Sequence, residues 1–142
     1  MPSKIAERCV ASGQVAPHSK NEIVRTSLEG LALKYREVLE NLRRKTGRSL
    51  DQLHIVGGGT QNELLNQMTA DSTGCEVLAG PIEATGVGNV VVQMIAAGEL
   101  GSLADARQLI ENSFEPKRYE PKQTTQWYEA YGRMLEIREN FF

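Results

Sequence analysis

The sequence predicts an α/β fold with few parallel strands flanked by helices. Three observations carry that prediction. Two short apolar runs, Leu53-His54-Ile55-Val56 and Glu76-Val77-Leu78-Ala79, stand apart from the rest of the chain. A glycine junction follows each run, and a segment of helical periodicity follows each glycine junction. A long amphipathic segment precedes the first run. Strands separated by helices pair in parallel through right-handed crossovers.

In chain order, Pro2 suits the first turn of a short helix over 3–9. Gly13 and Pro17 then break the chain. From Asn21, residues Val24, Leu28, Leu31, Tyr35, Val38 and Leu42 recur at threes and fours, which makes one apolar helical face. Ser19 or Asn21 is its expected cap. The basic run Arg43-Arg44-Lys45 followed by Gly47 is a stop signal. The run at 53–56 is apolar apart from His54, as expected of a strand buried on both faces. Residues 62–73 form a helix with Leu64, Leu65, Met68 and Ala70 inward, closed by Gly74. The second strand follows at 76–79, and Gly80-Pro81 turns the chain. Residues 84–97 are helical on a Val87, Val91, Ile95 stripe, with Gly98 as stop. Ser102 caps a short helix over 102–110, with Asp105 at its third helical position. A Pro- and charge-rich connector, 112–123, leads to a last helix opened by Thr124 or Thr125.

The 142 residues suit one domain. A net charge of -2 gives no electrostatic footprint for nucleic acid or an anionic membrane. Backbone amides can still seat a phosphate without net positive charge. Cys9 and Cys75 lie far apart and show no metal-ligand spacing, so both are expected as free thiols in a reducing compartment. There is no run of membrane-spanning length and no apolar leader, so a cytoplasmic protein is expected.

The chemistry concentrates in Val56-Gly57-Gly58-Gly59-Thr60-Gln61-Asn62. Glycine removes the Cβ that would keep a ligand from the backbone. The following helix start offers free N–H groups and partial positive charge. Asn62, one step into that helix, carries an amide that can donate and accept toward a base or ribose. The dinucleotide fingerprint fails, because Asn62 stands where the last glycine belongs and Glu76 begins the second strand instead of ending it. The Walker pattern fails as well, for no Gly-Lys-Ser/Thr follows. The residues alone leave two readings: a nucleotide seat, or a tight turn with no ligand. At the second junction, Gly80, Gly86 and Gly88 are read as allowing close helix packing, and Glu83 and Thr85 as caps. His18 and His54 receive no catalytic role, and Asp51, Asp71 and Asp105 read as caps or solvated faces.

These residues carry a resemblance. HIVGGGTQNELLNQMTADSTG, followed by VLAGPIEATGVGNVVVQMIAAGEL and preceded by the helix NEIVRTSLEGLALKYREVLENL, resembles the C-terminal region of the FGGY carbohydrate kinases, nearest to those acting on L-rhamnulose. The likeness runs from Met1 to at least Leu103. It implies an actin-like ATPase fold, two ribonuclease H-like domains with ATP in the cleft between them. This chain then holds an N-terminal segment (1–20), part of the second, ATP-side domain (21–111), and a connector with the C-terminal helix (112–142). The resemblance places adenine-nucleotide contacts on Gly58, and with it Gly57, Gly59 and Asn62. It implies ATP with Mg²⁺ as cofactor and transfer of the γ-phosphate to a ketose such as L-rhamnulose. It supplies no catalytic residue and no metal ligand, because the sugar-binding domain and the proton-accepting aspartate have no counterpart here. Phosphoryl transfer depends on positioning and charge neutralisation, so the chain alone is expected to be inactive. The sugar joins only in the complete enzyme. A non-catalytic interaction module, or a gene remnant that keeps the kinase subdomain fold, is the alternative. Two strands with open edges imply a homo-oligomer or a complementary N-terminal kinase part.

Overall fold

The computed structural model describes residues 2–141. Helix α1 (Pro2–Ala11) buries Cys9. Helix α2 (Lys20–Thr46) opens at Ser19, whose hydroxyl accepts from the Glu22 amide, and closes at Gly47 with φ +65°. The two strands appear as β1 (Gln52–Ile55) and β2 (Glu76–Ala79), paired in parallel with Leu53 opposite Val77. Between them lie a 3₁₀ turn over Gly57–Gln61 and α3 (Glu63–Thr73), which Gly74 ends at φ +69°. Helices α4 (Ala84–Ala96), α5 (Leu103–Ser113) and α6 (Thr124–Phe141) complete the set. The expected Ser102 cap is present: its hydroxyl accepts from the Asp105 amide at 3.2 Å.

The connector holds a third strand that the sequence pattern did not reveal. β3 (Lys117–Tyr119) pairs antiparallel with β2, so the sheet order is β1-β2-β3. β2 therefore sits in the centre and β1 at an edge. Edge position explains why β1 is not buried on both faces as expected; its residues alternate between exposed and half-buried.

Two small cores lie on either side of α3. Ala70 packs with Val77, Ala79 and Tyr119 of the sheet, and Met68 packs with Ala32 of α2 and Trp127 of α6. Leu64, expected inward, is 49% exposed. Beside Met68 and Ala70, the buried face of α3 carries small polar residues, Asn66, Thr69, Ser72 and Thr73. Each of these makes a side-chain hydrogen bond, Thr69 to the Leu65 carbonyl, and the buried Asn66 Oδ1 is left without a partner among the described residues. Ser72 Oγ donates to the Ala32 carbonyl at 2.9 Å, Asn66 Nδ2 to the Thr60 carbonyl at 2.9 Å, and Thr73 Oγ1 to the Thr69 carbonyl at 2.6 Å. Small side chains with internal partners let α2 approach α3 closely at the fully buried Ala32.

On α2 the buried line is Ala32, Arg36 and Leu39, joined by half-buried Leu28. Apart from Leu28, the apolar face read from spacing lies outward, with Val24, Leu31, Tyr35, Val38 and Leu42 all exposed. Arg36 is 5% exposed, its guanidinium 4.0 Å from the Tyr128 ring and 4.5 Å from the Tyr131 ring of α6. Beside it, Glu37 accepts from Lys34 at 2.7 Å and pairs with Arg138 of α6. The Lys34 hydrogen bond, helped by the Lys34 and Arg138 charges, holds the Glu37 carboxyl below its usual 4.5 against the opposing effect of burial. A depressed folded-state value means that the clamp's stabilisation is present above about pH 4.5 and lost as pH falls through the lower folded value. Urea unfolding at neutral and acid pH is expected to show this loss, and Glu37→Gln to reduce the difference between the two conditions.

Candidate functional site

Because β1 and β2 are parallel, both glycine junctions emerge at the same end of the sheet. Two backbone bonds hold them side by side: the Gly80 amide donates to the Ile55 carbonyl at 2.9 Å, and the Gly57 amide to the Pro81 carbonyl at 3.0 Å. In open α/β sheets this carboxyl end is where ligands bind.

The three glycines of the first junction have different reasons to be glycine. Gly57 has φ +78°, a left-handed conformation that side chains resist. At Gly59 an added Cβ would make an ordinary 3.7 Å contact with Ile55 Cγ2. At Gly58 an added Cβ would meet nothing within 4 Å, so its backbone faces open space. The 3₁₀ pattern joins residue i to i+3, so it leaves the Gly57 and Gly58 amides without partners inside the turn. Gly57 donates to Pro81 as described, which leaves the Gly58 N–H free at the open position. The turn is braced from behind by Thr60 Oγ1, which donates to the Gly57 carbonyl at 2.8 Å, and by Asn66 Nδ2 on the Thr60 carbonyl.

Asn62 is the N-cap of α3, one position earlier than expected. Its Oδ1 accepts from the Leu65 amide at 3.1 Å. The carbonyl end thus serves the helix, and the donating Nδ2 end is what remains for a ligand. Gly57, Gly58, Gly59 and Asn62 therefore share one turn, with Gly58 its open point.

The second junction differs from its reading. Gly86 and Gly88 have no heavy atom within 4 Å of an added Cβ, so they do not mark close packing against the sheet. Glu83 stands at the N-cap of α4 without a side-chain bond. Gly80, at φ +141°, does meet a neighbour: an added Cβ would lie 3.5 Å from Pro116 Cα at the start of β3. A Pro-flanked Lys-Arg-Tyr triplet was the only local signal of that strand.

Between the exposed sheet face and helices α4 and α5 lies a groove of about 790 Å³, with Gln52, His54, Leu78 and Arg118 on its floor. A polar chain crosses all three strands there. His54 Nε2 lies 3.1 Å from Gln52 Oε1, Gln52 Nε2 donates to Glu76 at 2.7 Å, and Arg118 donates to the same carboxylate at 2.7 Å. The Gln52 bond, then the Arg118 bond, keep the Glu76 carboxyl below its usual range. Glu76 is thus an ionised strut of the sheet face. Among the described residues, no three His, Cys, Asp or Glu side chains converge to hold a metal ion.

Comparison with known proteins decides the family. Residues 3–97 match the FGGY family of carbohydrate kinases, C-terminal domain. The chain belongs to the FGGY family of carbohydrate kinases. Its α/β architecture is that of the C-terminal domain of this actin-like fold. A rhamnulokinase of Bacteroides thetaiotaomicron is 47% identical over 131 residues, 92% of this chain and 27% of that protein. A rhamnulokinase of Bacillus subtilis is 41% identical over 122 residues, 86% of this chain and 25% of that protein. The chain thus spans about a quarter of the length of the curated relatives it matches. Both glycine junctions of this FGGY chain fall inside the matched residues.

The geometry separates the glycines by experiment. Gly57→Ala is expected to cost roughly 1–2 kcal/mol through its left-handed φ. Gly58→Ala is expected to leave stability within about 0.5 kcal/mol. Asn62→Ala is expected to cost about 1 kcal/mol as a lost cap. Chemical denaturation of the three variants checks the order.

Proposed function

We propose that this chain is the adenine-nucleotide side of a sugar kinase that transfers the γ-phosphate of ATP to a ketose such as L-rhamnulose. The observation that carries the reading is the open backbone at Gly58, with a free amide and no side chain beside it. Gly57, Gly59 and Asn62 shape the same turn, and the Asn62 Nδ2 group, not used in the cap bond to Leu65, would donate to the base or ribose. The names of the rhamnulokinase relatives support the choice of sugar. Mg²⁺ would arrive with ATP and take ligands from its phosphate oxygens. The sugar site and the group that accepts the hydroxyl proton belong to a complementary N-terminal kinase part, so this chain is inactive alone. A cytoplasmic setting, where ATP is abundant and thiols stay reduced, agrees with the free Cys9 and Cys75. Half of a cleft gives weak binding.

A non-catalytic interaction module is the second reading, and the exposed apolar residues of α2 favour it. Titration calorimetry separates the two. The kinase-side reading expects ATP binding weaker than about micromolar, lost in Gly58→Val while the melting temperature stays unchanged. It also expects no L-rhamnulose phosphorylation by the purified chain. No ATP binding at millimolar ligand would remove it and leave the interaction module.

A further inference from the structure

The free Gly58 amide serves a ligand well only if its direction is fixed. Three successive glycines in a 3₁₀ turn are a weak frame for that purpose. Glycine has the greatest backbone freedom, and 3₁₀ hydrogen bonds have poor geometry. The restraint comes from two side chains outside the glycines. Thr60 Oγ1 donates to the Gly57 carbonyl at 2.8 Å, and Asn66 Nδ2 donates to the Thr60 carbonyl at 2.9 Å. The Gly57 carbonyl and the Gly58 amide are the two ends of one peptide unit. That unit is planar and trans, so its C=O and N–H point in opposite directions. A hydroxyl that holds the Gly57 carbonyl therefore also fixes the direction of the Gly58 N–H. The preceding peptide unit is held from the second junction, because the Gly57 amide donates to the Pro81 carbonyl at 3.0 Å.

Asn66 is the rigid end of this relay. It is fully buried in α3, and Thr60 is 9% exposed. The Asn66 Oδ1 has no hydrogen-bond partner among the described residues. An apolar side chain in its place would avoid that desolvation cost. What an apolar side chain could not supply is the bond to the Thr60 carbonyl.

We propose that Thr60 and Asn66 are positioning residues of the nucleotide site: their relay aims the Gly58 amide, and the affinity for ATP depends on it. Neither side chain has to touch the nucleotide. The inference rests on the nucleotide reading of the turn given above. A donor aimed in advance spares the ligand the cost of ordering the turn, and that cost returns when the relay is cut.

NMR of the isotope-labelled 142-residue chain, alone and titrated with ATP, reads both parts of the proposal. Thr60→Val keeps the shape of the side chain and removes the donor. In the ligand-free chain it is expected to lower the Gly58 amide order parameter from about 0.85 to below about 0.6. It is also expected to weaken ATP binding about tenfold. Thr60→Ser keeps the hydroxyl and is expected to stay within about twofold of wild type. Asn66→Leu removes the bond to the Thr60 carbonyl and is expected to follow Thr60→Val in both readouts. Ser72→Ala removes an equally buried bond elsewhere on α3. It is expected to lower the melting temperature and leave ATP binding unchanged. A Thr60→Val chain that melts earlier yet binds ATP as wild type does would overturn the positioning role and leave the nucleotide reading standing. An unchanged Gly58 order parameter would do the same, as would an equal loss of affinity in Ser72→Ala. No ATP binding by the wild type at millimolar ligand would remove the nucleotide reading, and this inference with it.

Discussion

The structure depends on how α3 buries polar side chains. Asn66, Thr69, Ser72 and Thr73 occupy the face that a leucine-rich helix would present to a core. An unsatisfied buried polar group costs about 1–3 kcal/mol, so each of these residues must find a partner or weaken the fold. Thr69 and Thr73 find theirs within α3, and the other two partners each tie down another element. Ser72 holds the Ala32 carbonyl of α2, and Asn66 holds the Thr60 carbonyl of the glycine turn. Asp71 accepts from the Lys122 amide at 2.7 Å and from Gln67 Nε2 at 3.0 Å, which anchors the chain between β3 and α6. The helix is thus both spacer and clamp, and small polar residues serve both purposes where larger apolar ones would hold α2 away.

The glycine turn inherits its shape from this arrangement. With Asn66 behind Thr60 and Pro81 taking the Gly57 amide, the turn is braced on two sides. Among the described residues of the turn, Gly58 is left facing open space with a free donor and no side chain. A backbone braced in this way would meet a ligand, as proposed above, with little ordering cost. The parallel pairing of β1 and β2 adds the second junction alongside, so two glycine junctions within the residues matched to the FGGY C-terminal domain meet at one sheet end through backbone bonds.

The attachment of α6 shows a different balance. Arg36 is almost fully buried, yet its Nε and Nη1 have no hydrogen-bond partner. Two tyrosine rings stacked on its guanidinium offset part of that desolvation through their π faces. The neighbouring Glu37 carries the ion pairs to Lys34 and Arg138. The carboxylate sits one position along from the arginine, so α6 is held by stacking at one residue and by charge at the next.

Local chemistry was legible without tertiary information. Helix caps and stops at Ser19, Gly47, Gly74 and Ser102 act through bonds within a few residues, and all are where the pattern put them. The same holds for β2 and for the glycine turn, where the left-handed φ at Gly57 is open to glycine because it lacks a Cβ. Which side of an element is buried was decided elsewhere. α2 has two apolar lines a quarter-turn apart, and only the position of α3 selects Ala32 and Leu39 over Leu31 and Val38. Leu64 points out because the small polar face of α3 is what fits beneath α2. β3 has three residues and no apolar run, and it is a strand only because β2 offers it an edge. Periodicity and capping are short-range and are written in the chain. Choice of face and completion of the sheet depend on the neighbour, and the neighbour's place exists only once the chain has folded.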